Sequence, residues 1–300
     1  MSAYRFCRSD DIGLLVDALN RCWSPYFPDE PPMTAAAFKR SIRDLQVWCS
    51  SCMVAFSGSD PIGVLIGAKR PSGTLVHRIA VHPDHRRQGH GRHLLASLGS
   101  KLAILGPPRI VAEIPATLVP ACGLFNASGY AEEALLTDYV LQPAENPSTR
   151  AEFPRSPSAG DHDSQFVIPV TIDDLAANGL LEEAHPQACW ERSIETLRAR
   201  KDNIEGLALA SDERIEAYLL YLAGALAEAG PTAEIVSLRS FIDDAGDRSR
   251  QLFSQLHALG MRTFRIPKVH PSEISKELLE TLGFRAAGAH RLYAARARAE

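Results

Sequence analysis

The residues best equipped for chemistry crowd into one stretch, His82-Pro83-Asp84-His85-Arg86-Arg87-Gln88-Gly89-His90-Gly91-Arg92-His93. Ahead of it, Leu75, Val76, Ile79 and Val81 follow Ser72-Gly73 as β-branched or aliphatic positions; behind it, Leu94, Leu95, Leu98 and Leu102 recur at helical spacing. The pattern predicts a strand, a tight turn and a helix. Gly89 and Gly91 lack a Cβ, so the backbone there can approach a ligand closely and turn its N–H groups toward it. Those donors stand at the positive end of a helix dipole, and Arg86, Arg87 and Arg92 add full charges. Such a turn can cradle a pyrophosphate. It is neither a Walker loop, which ends in Gly-Lys-Ser/Thr, nor a dinucleotide loop, which needs a third glycine. Two glycines and three arginines could also merely open a solvated helix, so the surrounding elements must decide.

The arrangement Arg86-x-x-Gly89-x-Gly91, directly after a strand ending Ala80-Val81-His82-Pro83, resembles the acyl-CoA signature of the GNAT superfamily of N-acyltransferases. The segment His77-Arg78-Ile79-Ala80-Val81-His82 is similar to the serotonin N-acetyltransferase branch of that superfamily over this stretch alone. The resemblance implies acetyl-CoA as co-substrate, its pyrophosphate held by Arg86, Arg87, Gln88, Gly89, His90, Gly91 and Arg92. It also implies a pantetheine arm that pairs with the main chain of Ile79, Ala80 and Val81 like an added strand. Phe125, four residues before Gly129, stands beside the cofactor where the family usually carries a tyrosine acid, and Leu118 replaces the usual asparagine upstream.

Transfer by direct attack needs a neutral amine, a polarised thioester carbonyl and a proton for the departing thiolate. A backbone N–H near Val81, where the strand splays from its neighbour, can polarise the carbonyl. His77 shares strand parity with Ile79 and Val81 and titrates near neutrality, which makes it a candidate base; a packed or surface histidine is the plain alternative. Glu113, on the next strand between Ala112 and Ile114, is the second candidate base, or else a solvated or salt-bridged carboxylate. With no phenol at position 125, Tyr130, Tyr139 or water is left to supply the proton.

The elements that must position these groups follow in order. Tyr4 to Arg8 reads as a strand, and Asp10 or Asp11 caps a helix carrying Ile12, Leu15, Val16 and Leu19. Four prolines make Pro25 to Pro32 a loop, and Thr34 starts a second helix. Met53–Phe56 and Ile62–Ala68 flank a hairpin turn, Arg109–Ile114 is a strand, Ala121–Ser128 a short helix stopped by Gly129, and Leu135–Leu141 a closing strand. The order β-α-α-β-β-β-α-β-α-β is what the resemblance requires.

Three hundred residues suggest two domains. Proline, serine and acids from Pro143 to Ser164 read as a linker. Strand candidates recur at 166–170, 206–210, 215–222 and 233–238, and Leu278-Leu279-Glu280-Thr281-Leu282-Gly283-Phe284 parallels Leu124-Phe125-Asn126-Ala127-Ser128-Gly129-Tyr130. The expected fold class is α/β of the α+β kind, with two tandem GNAT-like domains, each a mixed, mostly antiparallel sheet flanked by helices. Residues 1–142 form the catalytic, acetyl-CoA-binding domain, 143–164 the linker and 165–300 a degenerate copy; the two-copy layout resembles the mycothiol synthases. In the second copy Asp243, Asp244 and Asp247 stand where the phosphate loop would be and would repel a pyrophosphate.

A net charge of −4 gives no general pull toward nucleic acid or anionic membrane, and no run reaches spanning length. The start has no apolar signal core, so a cytoplasmic location is expected, with Cys7, Cys22, Cys49, Cys52, Cys122 and Cys189 as thiols. His77, His82, His85, His90 and His93 lack the cysteine or carboxylate spacing of a zinc site, so no metal is expected. The expected function is an N-acetyltransferase acting on the primary amine of a small molecule, as a monomer or homodimer. A non-catalytic acyl-CoA sensor or interaction protein is the alternative, in keeping with Phe125.

Overall fold

The structure, a computed structural model, describes residues 2–142, 166–181, 187–226 and 230–298; the expected linker lies outside them. Two compact units emerge, Met1–Ala134 with His290–Glu300, and Leu135–Ala289.

In the first unit the expected cap at Thr34 forms and the one at Asp11 does not. Thr34 caps α2 (Ala35–Leu45), its hydroxyl accepting from the Ala37 N–H at 3.1 Å. Asp11 precedes α1 (Ile12–Cys22) but spends its carboxylate on the Arg8 N–H and the Arg5 guanidinium instead of on the helix. Strands β1 (Ser2–Phe6), β2 (Met53–Ser57), β3 (Asp60–Arg70), β4 (Gly73–Val81) and β5 (Arg109–Pro115) are neighbours in that order, antiparallel except for the parallel pair β4–β5. Helix α3 (His90–Leu105) and α4 (Val119–Ala127) cover one face, where Leu94, Leu95, Leu98, Leu102 and Phe125 pack with Met53, Leu65, Val76 and Ala112. Burying such side chains contributes about 1.5–3 kcal/mol each before chain entropy is subtracted. No helix among the described residues is long and apolar enough to cross a membrane. Burial raises the thiol pKa of Cys7 to about 12 and of Cys22 to about 11, and it raises Cys49 and Cys52 as well, so these thiols are poor nucleophiles.

The second unit repeats the plan. Its strands run β6 (Ala131–Leu141, from Leu135 on), β11 (Thr263–Val269), β10 (Gly230–Ser240), β9 (Ile215–Leu226), β8 (Glu205–Ala210) and β7 (Phe166–Pro169), with β10–β11 the parallel pair. Helix α7 (Asp247–Ala258) and α8 (Lys276–Thr281) pack Leu252, Phe253, Leu256 and Leu279 against Phe264, Ile266 and Phe284; α5 (Ile172–Ala177) and α6 (Ile194–Ala199) contribute Leu175 and Leu197 to another cluster.

The units correct the expected contiguous halves of 1–142 and 165–300, because the closing strands are exchanged. The last strand of the chain, β12 (Arg285–Arg296), pairs with β5 from His290↔Pro115 to Arg296↔Arg109, and so completes the first unit's sheet. Tyr293 from this strand is fully buried and stacks on Phe125 at 5.7 Å. Conversely, β6 pairs with β11, and its Tyr139 joins the second unit's core. The physical reason is that β5 would otherwise keep a row of unpaired backbone groups on its far edge. Replacing Tyr293 by Ala should therefore cost the first unit about 3–5 kcal/mol, as a buried aromatic does. Denaturant unfolding read out on the first unit checks this, and an unchanged midpoint would contradict it.

Candidate active site

The site is built where β4 leaves β5. The parallel ladder holds only Thr74↔Ile110 and Leu75↔Val111, after which β5 pairs on with β12 alone. On its other edge β4 stays with β3 to its end, and the His82 N–H donates to the Ile62 carbonyl at 2.9 Å. Alternating from that bond, Arg78 and Ala80 face β3, whereas Ile79 and Val81 turn their N–H and C=O groups into the gap. This is an open strand edge next to the loop.

His77 sits in a bulge. The register steps from Gly67↔Val76 to Ile66↔Arg78, leaving His77 as the extra residue. Val76 and Ile79, three apart, can therefore both pack toward α3 and α4. The regular parity that links His77 with Ile79 and Val81 in sequence is thus broken: His77 goes with Arg78 on the opposite face. Glu113 also lies opposite the core positions Ala112 and Ile114. Both His77 and Glu113 stand two residues past the Leu75↔Val111 pair, so the two candidate bases are level with each other where the strands part.

The loop itself turns through left-handed backbone at Arg87, with φ of 63°, and at Gly89, with φ of 85°. Gly89 is the N-cap of α3, and the first helical bond runs from the His93 N–H to its carbonyl at 3.0 Å. The N–H groups of His90, Gly91 and Arg92 precede that bond and are the orphan donors of the helix start. A Cβ at Gly89 would meet nothing within 4 Å, leaving room for a ligand. Gly91 serves differently, since it is buried and a Cβ there would come within 3.0 Å of Leu124 on α4. Arg86, Arg87, Gln88 and Arg92 are exposed, and neither Arg87 nor Arg92 has an ion pair among the described residues.

His90 points inward. Its Nδ1 lies 2.6 Å from the Tyr4 hydroxyl, and its buried Nε2 has no partner among the described residues. Burial, then the neighbouring charges of His85 and His93, hold its pKa below the ordinary 6.5. Phe125 is fully buried, edge-on to Tyr130 at 5.0 Å, and forms part of the core rather than an open wall. Of the expected proton donors, Tyr130 is buried and pushed upward by that burial, and Tyr139 belongs to the second unit's core.

Two residues escape sequence reasoning. Tyr26, from the proline-rich loop, donates its hydroxyl to the Val81 carbonyl at 2.6 Å and lies under the Arg86 guanidinium at 5.6 Å. Trp23 lies against Arg78 at 4.7 Å and donates to Glu30 at 3.0 Å, so the loop is fastened onto β4. Nothing in a run of prolines and aromatics signals which strand it will cover. Among the described residues no three His, Cys, Asp or Glu side chains gather as metal ligands.

A mixed sheet whose central parallel strands part, with a glycine-capped helix at the open end, defines a protein of the GNAT fold. The sequence model of the acetyltransferase (GNAT) family matches residues 14–130, which lie within the first unit, and that family uses acetyl-CoA as co-substrate. The whole chain is similar in fold to solved structures. One is a tandem GNAT protein from the clavulanic acid biosynthesis pathway, 15% identical, with 99% of each chain covered and a TM-score of 0.62. Another is a GCN5-related N-acetyltransferase from Sphaerobacter thermophilus, 15% identical, covering 99% of this chain and 96% of that one at 0.63. A third, described as a putative acetyltransferase from Pyrococcus horikoshii, is 16% identical and covers 100% and 90% at 0.57. No curated protein matches the sequence.

Because folding lowers the His90 pKa, the unfolded chain binds the proton more readily, and stability is lost as pH falls through 6.5. Denaturant unfolding from about pH 8 to about pH 5 should show this slope, and His90→Asn should flatten it; equal slopes would contradict the burial of a neutral imidazole.

Proposed function

We propose that the first unit transfers an acetyl group from acetyl-CoA to the primary amine of a small molecule, by direct attack in a ternary complex. The observation that carries this reading is the parting of β4 from β5 after Leu75↔Val111, which opens a strand edge that leads to the Gly89 turn. A linear amide chain can pair with that edge while a pyrophosphate takes the orphan N–H groups of His90, Gly91 and Arg92. Arg86, Arg87 and Arg92 supply the countercharge. The Val81 carbonyl already accepts from Tyr26, so the incoming chain pairs with Ile79 or displaces that hydroxyl.

His77 and Glu113, level at the ladder's end, are the groups that can take the amine proton. The amine nitrogen bonds to the carbonyl carbon, the carbon–sulfur bond breaks with its electrons going to sulfur, and the thiolate is protonated. Phe125 offers no proton and Tyr130 is sealed in the core, which leaves solvent as the proton source at the sulfur.

The test is thiol release from acetyl-CoA against a panel of small amines. Removing the operative base, as His77→Ala or as Glu113→Gln, should lower kcat by about 10²–10⁴-fold. Binding of acetyl-CoA without turnover on any amine would instead favour an acyl-CoA sensor. Gly89→Val strains the left-handed turn by about 1–2 kcal/mol and should weaken acetyl-CoA binding about tenfold or more, measured by calorimetry. Gly91→Val should act differently, lowering the unfolding midpoint through its collision with Leu124.

A further inference from the structure

The second unit keeps the parted strands and changes the charge around them. β10 pairs with β11 only over Thr232–Glu234 against Thr263–Arg265. It stays with β9 as far as Ser240↔Ala217, and the Phe241 N–H donates to the Glu216 carbonyl at 2.8 Å. Alternating from that bond, Ser237 and Arg239 face β9, and Leu238 and Ser240 turn their N–H and C=O groups to the open side. A cavity of about 780 Å³ lies there. Its wall takes in every residue from Val236 to Gly246, both strand parities alike, as an open strand edge produces. Ile274, Ser275, Leu278 and Thr281 stand among the other lining residues.

The helix start beside this cavity already holds an anionic group of the chain itself. The Asp244 carboxylate accepts from the Gly246 N–H at 3.0 Å, the Arg248 N–H at 2.9 Å and the Arg248 guanidinium at 2.9 Å, and Arg248 also binds Glu216 at 2.7 Å. A phosphate would need those same donors. Gly246 is moreover packed under Leu278, whose Cδ1 would lie 2.6 Å from a Cβ there. Of the charges lining the cavity, Arg192 is neutralised by Glu273 and Arg239 lies over the Phe241 ring at 5.5 Å, whereas Asp243 and Glu277 carry no ion pair among the described residues. The wall therefore has a negative excess.

We propose that this cavity is a second binding site, for an extended ligand that carries amide groups and no anionic group, held through main-chain hydrogen bonds to Leu238 and Ser240. Its volume falls in the range of small-molecule sites, and its Val236, Leu238, Ile242 and Ile274 side chains offer apolar contact between the polar ends. The proposal does not depend on the reaction assigned to the first unit.

Two probes that differ by one phosphate test it, pantetheine and 4′-phosphopantetheine, titrated by calorimetry and backbone-amide NMR into the full-length chain carrying Gly89→Val, which weakens the first unit's turn, while the Ile79 and Leu238 amide shifts tell the two units apart. Pantetheine should shift the amides of Leu238 and Ser240, and the phosphorylated probe should bind about tenfold more weakly or worse. Asp244→Ala should narrow that gap by releasing the donors, and Ser240→Trp should abolish pantetheine binding by filling the cavity. If Ser240→Trp does not fold, the amide shifts in the Gly89→Val chain decide. Equal binding of both probes, or pantetheine binding that leaves the Leu238 and Ser240 amides unmoved, would overturn the proposal. The first unit's reading is checked separately, by acetyl-CoA binding to the chain with an intact Gly89.

Discussion

Two parallel strands that pair over Thr74–Leu75 and Ile110–Val111 and then separate impose the arrangement of everything around them in the first unit. Separation leaves the Ile79 and Val81 backbone groups facing a gap, and backbone groups in a sheet interior must find partners in another chain segment, a ligand or water. The bulge at His77 accompanies this parting, since its extra residue keeps both Val76 and Ile79 on the α3–α4 core while turning His77 toward Glu113's face. Packing on one face and placement of a candidate base on the other are therefore consequences of the same irregularity.

The second constraint is that β5 must not end as a free edge. β12 satisfies it from the far end of the chain and brings Tyr293 onto Phe125. This gives Phe125 a structural occupation: the ring that replaces the family's usual phenol is clamped between Tyr130 and Tyr293.

The two units show how one backbone plan can keep or lose an anion site through few side chains. Both helices start at a glycine in left-handed conformation, Gly89 with φ of 85° and Gly246 with φ of 89°. At α3 a Cβ on the capping glycine would meet open space; at α7 an aspartate two residues before the glycine accepts from the Gly246 and Arg248 N–H groups. The sequence predicts repulsion by three aspartates, whereas the geometry adds occupancy by one of them, since the Gly246 and Arg248 N–H groups already serve the Asp244 carboxylate.

The sequence by itself determined the order of elements, the strand, turn and helix around Gly89, the cap at Thr34 and the repetition of the plan, because each depends on hydrophobic period, glycine conformation or a hydrogen bond spanning three residues. It also named His77 and Glu113, whose placement at one level only the ladder register reveals. What tertiary structure alone decided is non-local: the exchange of β6 and β12, the bulge that reverses the face of His77, the different duties of Gly89 and Gly91, and the fastening of Tyr26 onto Val81. Those outcomes turn on which edge a distant strand satisfies and which side chain fills a space, and local periodicity carries no record of either.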